Sequence, residues 1–147
     1  MAARPPSRRL GVAAQAYALR RDYPGAQLRV KATGLRFTYA LQPTALSLTY
    51  GVRITYDGIL HPCTRVISPG LQGRSDRPLP HVYSDGSLCL YDEGEWNHRT
   101  FISDTIVGWA AEWLAHYELW VGTGMWHGDE VPTTMSEVPA FPSRHEA

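Results

Sequence analysis

Residues 34–58, GLRFTYALQPTALSLTYGVRITYDG, contain two runs in which apolar and polar side chains alternate. The apolar positions are Leu35, Phe37, Tyr39 and Leu41 in the first run, and Leu46, Leu48, Tyr50, Val52, Ile54 and Tyr56 in the second. Alternation with a period of two is typical of strands that bury one face. Pro43 separates the runs, and Asp57-Gly58 follows them as a turn signal. The stretch therefore predicts two neighbouring antiparallel strands.

Shorter runs of the same kind lie on both sides of this stretch. Residues 26–33, AQLRVKAT, alternate in the same way, and residues 64–70, TRVISPG, form a fourth run that ends at Pro69-Gly70. Short strands that follow one another with turn signals between them favour consecutive pairing. We therefore expect a four-stranded antiparallel meander.

Two segments outside the meander have helical periodicity. Residues 7–25 predict an N-terminal helix with Ser7 as its N-cap and Pro24-Gly25 as its end, and residues 100–124 predict a longer one. The predicted apolar faces are Leu10, Ala13, Ala14, Tyr17 and Ala18 in the first helix, and Ile102, Ile106, Trp109, Trp113, Tyr117 and Trp120 in the second. Thr100 or Ser103 would cap the second helix, and Gly122 or Gly124 would end it. The fold class is therefore α+β, with helices covering one face of the sheet.

A long loop without periodicity joins the meander to the second helix. Residues 71–95 are rich in Gly, Ser, Asp and Pro, and they also contain apolar residues that disordered segments lack. A long loop in a compact domain is usually functional or disordered, and the apolar residues favour an ordered, functional loop. We expect residues 1–130 to form one domain and residues 131–147 to form a flexible tail.

Composition excludes several classes of protein. The formal net charge is zero, from 14 basic and 14 acidic residues, which gives no reason to expect nucleic-acid or membrane binding. No apolar run is long enough for a membrane span, and no signal peptide is visible. The two cysteines form no disulfide framework, and thiols fit a reducing cytoplasm. The expected location is therefore the cytoplasm.

Cys89 is the first candidate for chemistry. It lies in residues 83–91, YSDGSLCLY, directly after a turn built from Asp85, Gly86 and Ser87. Leu88 and Leu90 would anchor the segment on the face opposite the thiol. A small buried strand with an inert cysteine is the competing interpretation, because cysteine is often buried.

Other residues near Cys89 are weaker candidates. Cys63 follows His61 closely, but we expect it to be structural, since catalytic pairs are seldom close in sequence. His81 could shape the loop, act as a base or bind a metal. His61, Cys63, His81 and Cys89 reach the ligand count of a zinc site, but their spacing matches no zinc motif. We therefore predict no metal.

Acidic and aromatic residues surround the same segment. Asp92, Glu93 and Glu95 could help to deprotonate an incoming amine, and their charge would raise the pKa of the thiol. Such a thiol suits thioester exchange better than protease chemistry. The competing interpretation is a solvated acidic loop. We expect Trp96 to pack the loop onto the core, and Trp120 and Trp126 could bind a partner. Tyr83, Tyr91 and Trp96 are further candidates for binding.

The order of these parts resembles the ubiquitin-conjugating enzyme fold. In particular, HVYSDGSLCLY (residues 81–91) resembles the active-site stretch of that family, in which a His-Pro-Asn triplet leads to Gly, any residue, an apolar residue, Cys and Leu. Residues 79–129 resemble more specifically the bacterial standalone ubiquitin-conjugating-like proteins of short type II CBASS antiphage operons, which are encoded beside a cGAS-like nucleotidyltransferase. The resemblance covers roughly residues 8–130.

The resemblance implies a transferase without cofactor or metal. Cys89 would accept the C-terminal glycine of the nucleotidyltransferase as a thioester and pass it to a lysine amine of an acceptor protein. His81 and Gly86 match the family's histidine and glycine, and Ser84, Asp85 and Ser87 complete the supporting loop. Val82 and Tyr83 stand where the family has Pro and Asn, so a backbone amide or another side chain would have to steady the oxyanion.

Two alternatives to this transferase follow from the same residues. The lost asparagine favours a non-catalytic scaffold of the same fold that binds a glycine-ended tail, whereas the retained cysteine favours the enzyme. A cysteine hydrolase is a third possibility, but it lacks a convincing base.

Overall fold

The alternating stretch forms the two central strands of the sheet. In the computed structural model, which describes residues 8–127, the helices are α1 (Val12–Asp22) and α2 (Ile106–Thr123), with a short 3₁₀ turn (Ile102–Asp104) before α2. The strands are β1 (Gln27–Lys31), β2 (Gly34–Leu41), β3 (Tyr50–Tyr56) and β4 (Cys63–Ser68). They pair in the order β1-β2-β3-β4, and every pair is antiparallel. The predicted α+β class and the four-stranded meander are confirmed; the predicted tail and Ser7 lie outside the described residues.

One face of the sheet forms a single core with the helices. The buried residues of the central strands are Leu35, Phe37 and Leu41 in β2, and Tyr50, Val52, Ile54 and Tyr56 in β3. Helix α2 adds Ile106, Val107, Ala110, Trp113, Leu114, Tyr117 and Trp120 to the same core. Trp120 is therefore a packing residue and not a partner-binding one.

The predicted face of helix α1 is correct at Ala18 but wrong at Tyr17. Tyr17 is 67% exposed, whereas Ala18 and Leu19 are buried beside Gln15. Alanines lie on several faces of this helix, so hydrophobicity alone defines its inward face poorly. Gln15 can be buried because its side chain is fully used: Nε2 donates to the Thr100 carbonyl at 2.9 Å, and Oε1 accepts from the Ile102 amide at 2.9 Å.

Two element boundaries also differ from the prediction. Strand β3 begins at Tyr50, because residues 44–48 form a polar turn in which the Thr44 amide donates to Ser47 Oγ at 3.1 Å, and Leu46 is 98% exposed. Neither Thr100 nor Ser103 caps α2. The N-cap is Thr105, whose side chain makes no capping hydrogen bond to the helix. Gly124 ends the helix in the left-handed conformation, with φ +82°, as one of the two predicted glycines.

Within residues 8–127, no helix combines the length and the apolar character that a membrane crossing requires.

Candidate active site

A short β-hairpin places Cys89 opposite His81. The Tyr83 amide donates to the Ser87 carbonyl at 2.8 Å, and the Cys89 amide donates to the His81 carbonyl at 3.0 Å. Val82 and Leu88 form the antiparallel bridge between these two pairs. Because residues paired across two strands share a face, the His81 and Cys89 side chains lie on one side of the hairpin. Leu88 lies on the other side, where it is buried as predicted.

The turn of this hairpin is built from the residues that the sequence analysis selected. Gly86 has φ +89°, which a residue with a side chain rarely adopts, and its amide donates to the Tyr83 carbonyl at 2.8 Å. Asp85 Oδ1 accepts from the Ser87 amide at 2.9 Å and from Ser87 Oγ at 2.6 Å. Ser84 lies exposed at the tip. These bonds fix a three-residue loop and thereby the register that pairs His81 with Cys89.

Two contacts attach the hairpin to strand β4. Arg65 Nη1 donates to the Asp85 carbonyl at 2.6 Å, and Arg65 Nη2 lies 3.2 Å from Asp85 Oδ2. The Leu88 amide donates to the Thr64 carbonyl at 2.9 Å. The loop that carries the candidate nucleophile is therefore a fixed extension of the sheet.

Cys89 is half-buried and lines a cleft of about 160 Å³ between the hairpin and helix α2. The other lining residues are His81, Leu90, Trp109, Glu112, Trp113, His116 and Trp126. The thiol is thus neither sealed in the core nor placed on an open surface. Leu90 was predicted to lie on the face opposite the thiol, but it lines the same cleft, because the chain leaves the hairpin after Cys89.

His81 adopts an uncommon backbone conformation at this site. Its φ of +57° lies in the left-handed region, and two donors hold its carbonyl: the Cys89 amide at 3.0 Å and Trp113 Nε1 at 3.1 Å. Its ring packs against Trp126 with 4.6 Å between the centroids. Strained residues of this kind concentrate at functional sites. His81 therefore joins the hairpin to α2 and forms one wall of the cleft.

The structure places the predicted acids elsewhere. Asp92, Glu93 and Glu95 are exposed and do not line the cleft; Glu95 Oε1 accepts from the Asp92 amide at 2.6 Å. The acid that lines the cleft is Glu112, and His116 lies one helical turn further along α2. His116 Nδ1 is buried and has no hydrogen-bond partner among residues 8–127.

Neither Glu112 nor His116 was among the residues predicted for the site. Together with Glu118 they interrupt the apolar run of the helix, and they stand at positions i and i+4 between tryptophans that were assigned to the core. That interruption was the available signal, but it did not reveal that the face meets the cysteine loop.

Tyr83 and Tyr91 line one groove, whereas Trp96 is buried. Tyr83 lines a groove of about 330 Å³ on the other side of the hairpin, together with Ser87 and Leu90. The Tyr91 hydroxyl lies 3.0 Å from His61 Nδ1, and its ring packs against Trp109 with 5.4 Å between the centroids. Trp96 is 1% exposed and packs against neighbouring rings in the core, so its predicted binding role is wrong and its predicted packing role is confirmed.

Cys63 lies apart from the cleft of Cys89. It begins strand β4, is half-buried, and lines the groove of Tyr83 and a further cleft on the outer face of the sheet. Neither cysteine is in a disulfide. Within residues 8–127, no group of three or more His, Cys, Asp or Glu residues could hold a metal ion.

The fold and the cysteine hairpin can be compared with known proteins. No curated protein matches the sequence. The family model described as "Type II CBASS E2 protein" (E2-CBASS) matches residues 15–134, which include the four strands, the hairpin and α2. Because this match spans well over half of the chain, the protein belongs to the E2-CBASS family of type II CBASS E2 proteins.

Proposed function

We propose that the protein is an acyl transferase that carries the C-terminal glycine of a partner protein as a thioester on Cys89. The observation that carries the proposal is the half-buried thiol in a cleft, held opposite His81 by a hairpin that is bonded to both the sheet and α2. Membership of the E2-CBASS family supports an E2-like role in CBASS antiviral defence. The proposed partner is a cGAS-like nucleotidyltransferase that ends in glycine, in the bacterial cytoplasm.

The surroundings of Cys89 suit a narrow acyl donor. Leu90 lines both the cleft of Cys89 and the groove of Tyr83, so the two are neighbours. An extended chain could lie in the groove and reach the thiol with its last residue. A terminal glycine fits this approach because it has no side chain to clash with the tryptophans of the cleft.

The first step forms the thioester. The Cys89 thiolate attacks the carbonyl carbon of an activated glycyl group, a carbon–sulfur bond forms, and the leaving group departs with its electron pair. The donor must be an activated ester, because a free carboxylate does not acylate a thiol. The proton of the thiol passes to a base in the cleft.

The second step transfers the acyl group to an amine. A neutral lysine amine of the acceptor protein attacks the thioester carbonyl, a carbon–nitrogen bond forms, and the Cys89 thiolate leaves. The surplus proton of the amine needs an acceptor at the cleft, and we assign this role to Glu112. No step requires a metal or a nucleotide cofactor.

The composition of the chain suits a protein that holds an activated acyl group. Lys31 is its only lysine, and the other basic residues are arginines. A guanidinium stays protonated and does not act as a nucleophile, whereas a lysine amine close to a thioester would discharge it. The scarcity of lysine therefore protects the intermediate against self-acylation.

Non-reducing gel electrophoresis tests the proposal. The full chain is incubated with the nucleotidyltransferase of its operon, with and without an activating enzyme. We expect a thiol-sensitive adduct that is absent in Cys89→Ala and retained in Cys63→Ala and Lys31→Arg.

Each other result has a defined meaning. Loss of the adduct in Cys63→Ala would show that Cys89 is the wrong choice of thiol. Binding of the nucleotidyltransferase that persists in Cys89→Ala, with no adduct in the natural protein, would favour the non-catalytic scaffold.

A further inference from the structure

The outer face of the sheet, opposite the core, concentrates positive charge. Pairing across the four strands aligns outward side chains in two rows, which are Arg29, Arg36, Thr55 and Cys63, and Gln27, Thr38, Arg53 and Arg65. Lys31 lies at the end of β1, beside the first row. The net charge of zero conceals this arrangement, because alternation places these cations on one face.

Among the described residues, most of these cations lack an acidic partner, and several face one another. Arg29 lies directly opposite Arg36, and Arg53 directly opposite Arg65, and like charges in opposed positions destabilise a sheet. Arg65 has Asp85 as a partner, but within residues 8–127 no ion pair joins Arg29, Lys31, Arg36 or Arg53 to an acid. An arrangement that opposes stability is typical of a binding surface.

Part of this face is concave. A cleft of about 450 Å³ is lined on one side by Arg29, Lys31 and Arg36. Its opposite wall contains Leu60 and His61. Its further lining residues include Thr33, Thr55 and Asp57. Its volume lies in the range of small-molecule sites.

The polar groups of the cleft favour an anion. Asp57 is the one acid among its lining residues, and Asp57 Oδ1 already accepts from the Ile59 and Leu60 amides, each at 2.8 Å. Guanidinium and hydroxyl groups are strong donors to phosphate oxygens. The outer rows of the described sheet contain no aromatic residue on which bases of a single-stranded nucleic acid would stack.

We propose that this cleft binds a small molecule that carries a diphosphate group. Arg29, Lys31 and Arg36 contact the phosphates, and Thr55 donates its hydroxyl. A nucleoside attached to the diphosphate would lie against Leu60 and His61. This site is separate from Cys89 and does not depend on the function proposed for that residue.

Isothermal titration calorimetry of the full chain at low salt tests the proposal, with pyrophosphate and ADP as the two probes. We expect saturable binding of at least one probe, weakened about tenfold or more in Arg29→Gln/Arg36→Gln, because each charged hydrogen bond to phosphate contributes about a factor of ten. Tighter binding of ADP than of pyrophosphate would indicate that the diphosphate group belongs to a nucleotide. Equal or tighter binding of pyrophosphate would indicate inorganic diphosphate.

Matched controls separate a specific site from general charge. Arg20→Gln/Arg99→Gln removes the same charge from exposed positions outside the cleft, and its affinity should stay within about twofold of the natural protein. Circular dichroism checks that both double variants are folded. Equal weakening in both double variants, or no saturable binding of either probe at millimolar concentration, would overturn the proposal. So would tight binding of a poly-glutamate peptide or an oligonucleotide in place of both probes.

Discussion

Replacement of Asp85 by alanine should loosen the hairpin that carries Cys89 without unfolding the domain. The Asp85 carboxylate accepts from the Ser87 amide at 2.9 Å and from Ser87 Oγ at 2.6 Å, and Ser87 is 6% exposed. Without that carboxylate, two nearly buried donors lose their acceptor.

The expected magnitude follows from these contacts. Each lost acceptor contributes about 1 kcal/mol, and the exposed ion pair with Arg65 adds only a few tenths of a kcal/mol. We therefore expect opening of the hairpin to become easier by roughly 2–2.5 kcal/mol, which corresponds to about 30–70-fold in the opening equilibrium.

Hydrogen exchange of the Leu88 amide measures this opening, because that amide donates to the Thr64 carbonyl only while the hairpin is docked on β4. Asp85→Asn is the matched control. It retains one oxygen for the two Ser87 donors and loses the charge and the second oxygen, which faces the exposed Arg65, so its exchange should rise by no more than about twofold. Exchange in Asp85→Ala within twofold of the natural protein, or equal effects of the two substitutions, would refute the reasoning.

Three further predictions concern other contacts. Glu118→Ala removes the 2.7 Å acceptor of the buried Tyr50 hydroxyl and the 2.6 Å acceptor of Ser47 Oγ, so unfolding in urea should show a loss of about 1–3 kcal/mol. The loss should be smaller in a Tyr50→Phe background, where only the Ser47 bond remains to be lost; additive losses would contradict the pairing of Tyr50 with Glu118. Burial lowers the pKa of His98 below its usual value, so its protonation opposes folding and stability should fall as the pH decreases below about 6.5. His98→Gln should lose less stability than the natural protein between about pH 7.5 and 5.5. An unchanged loss would exclude His98 as a cause. Arg36→Thr removes the like charge opposite Arg29 and should raise the free energy of unfolding by about 0.2–1 kcal/mol; a decrease would show that the opposed arginines do not destabilise the sheet.

The sheet could be predicted from sequence where side-chain chemistry alternated without ambiguity. Strand β2 could be predicted because Leu35, Phe37, Tyr39 and Leu41 repeat every second residue. The inward face of helix α1 was predicted only in part. Its alanines are nearly neutral in hydrophobicity, and its buried polar residue, Gln15, hydrogen-bonds to backbone groups that are distant in sequence. Local patterns identify elements, whereas the partners of a buried polar group depend on the tertiary fold.

The candidate site could be predicted only in part, because local patterns indicate its turn and its other contacts depend on the tertiary fold. The turn at Gly86 was visible because a positive φ favours glycine and because Asp85 can bond the backbone two residues later. The pairing of His81 with Cys89 depends on the loop length and on a left-handed residue that is not glycine, which the sequence does not reveal. Glu112 reaches the cleft only through the packing of α2 against the hairpin.

Mass spectrometry of the protein after incubation with the proposed nucleotidyltransferase partner tests the proposed role of Cys89 most directly. Digestion at low pH, which preserves thioesters, should yield the peptide containing Cys89 joined to the C-terminal glycine of the partner. Hydroxylamine should release that glycine. Attachment at Cys63 or at Lys31, or a Cys89 peptide that stays unmodified while the acceptor protein is acylated, would contradict the account.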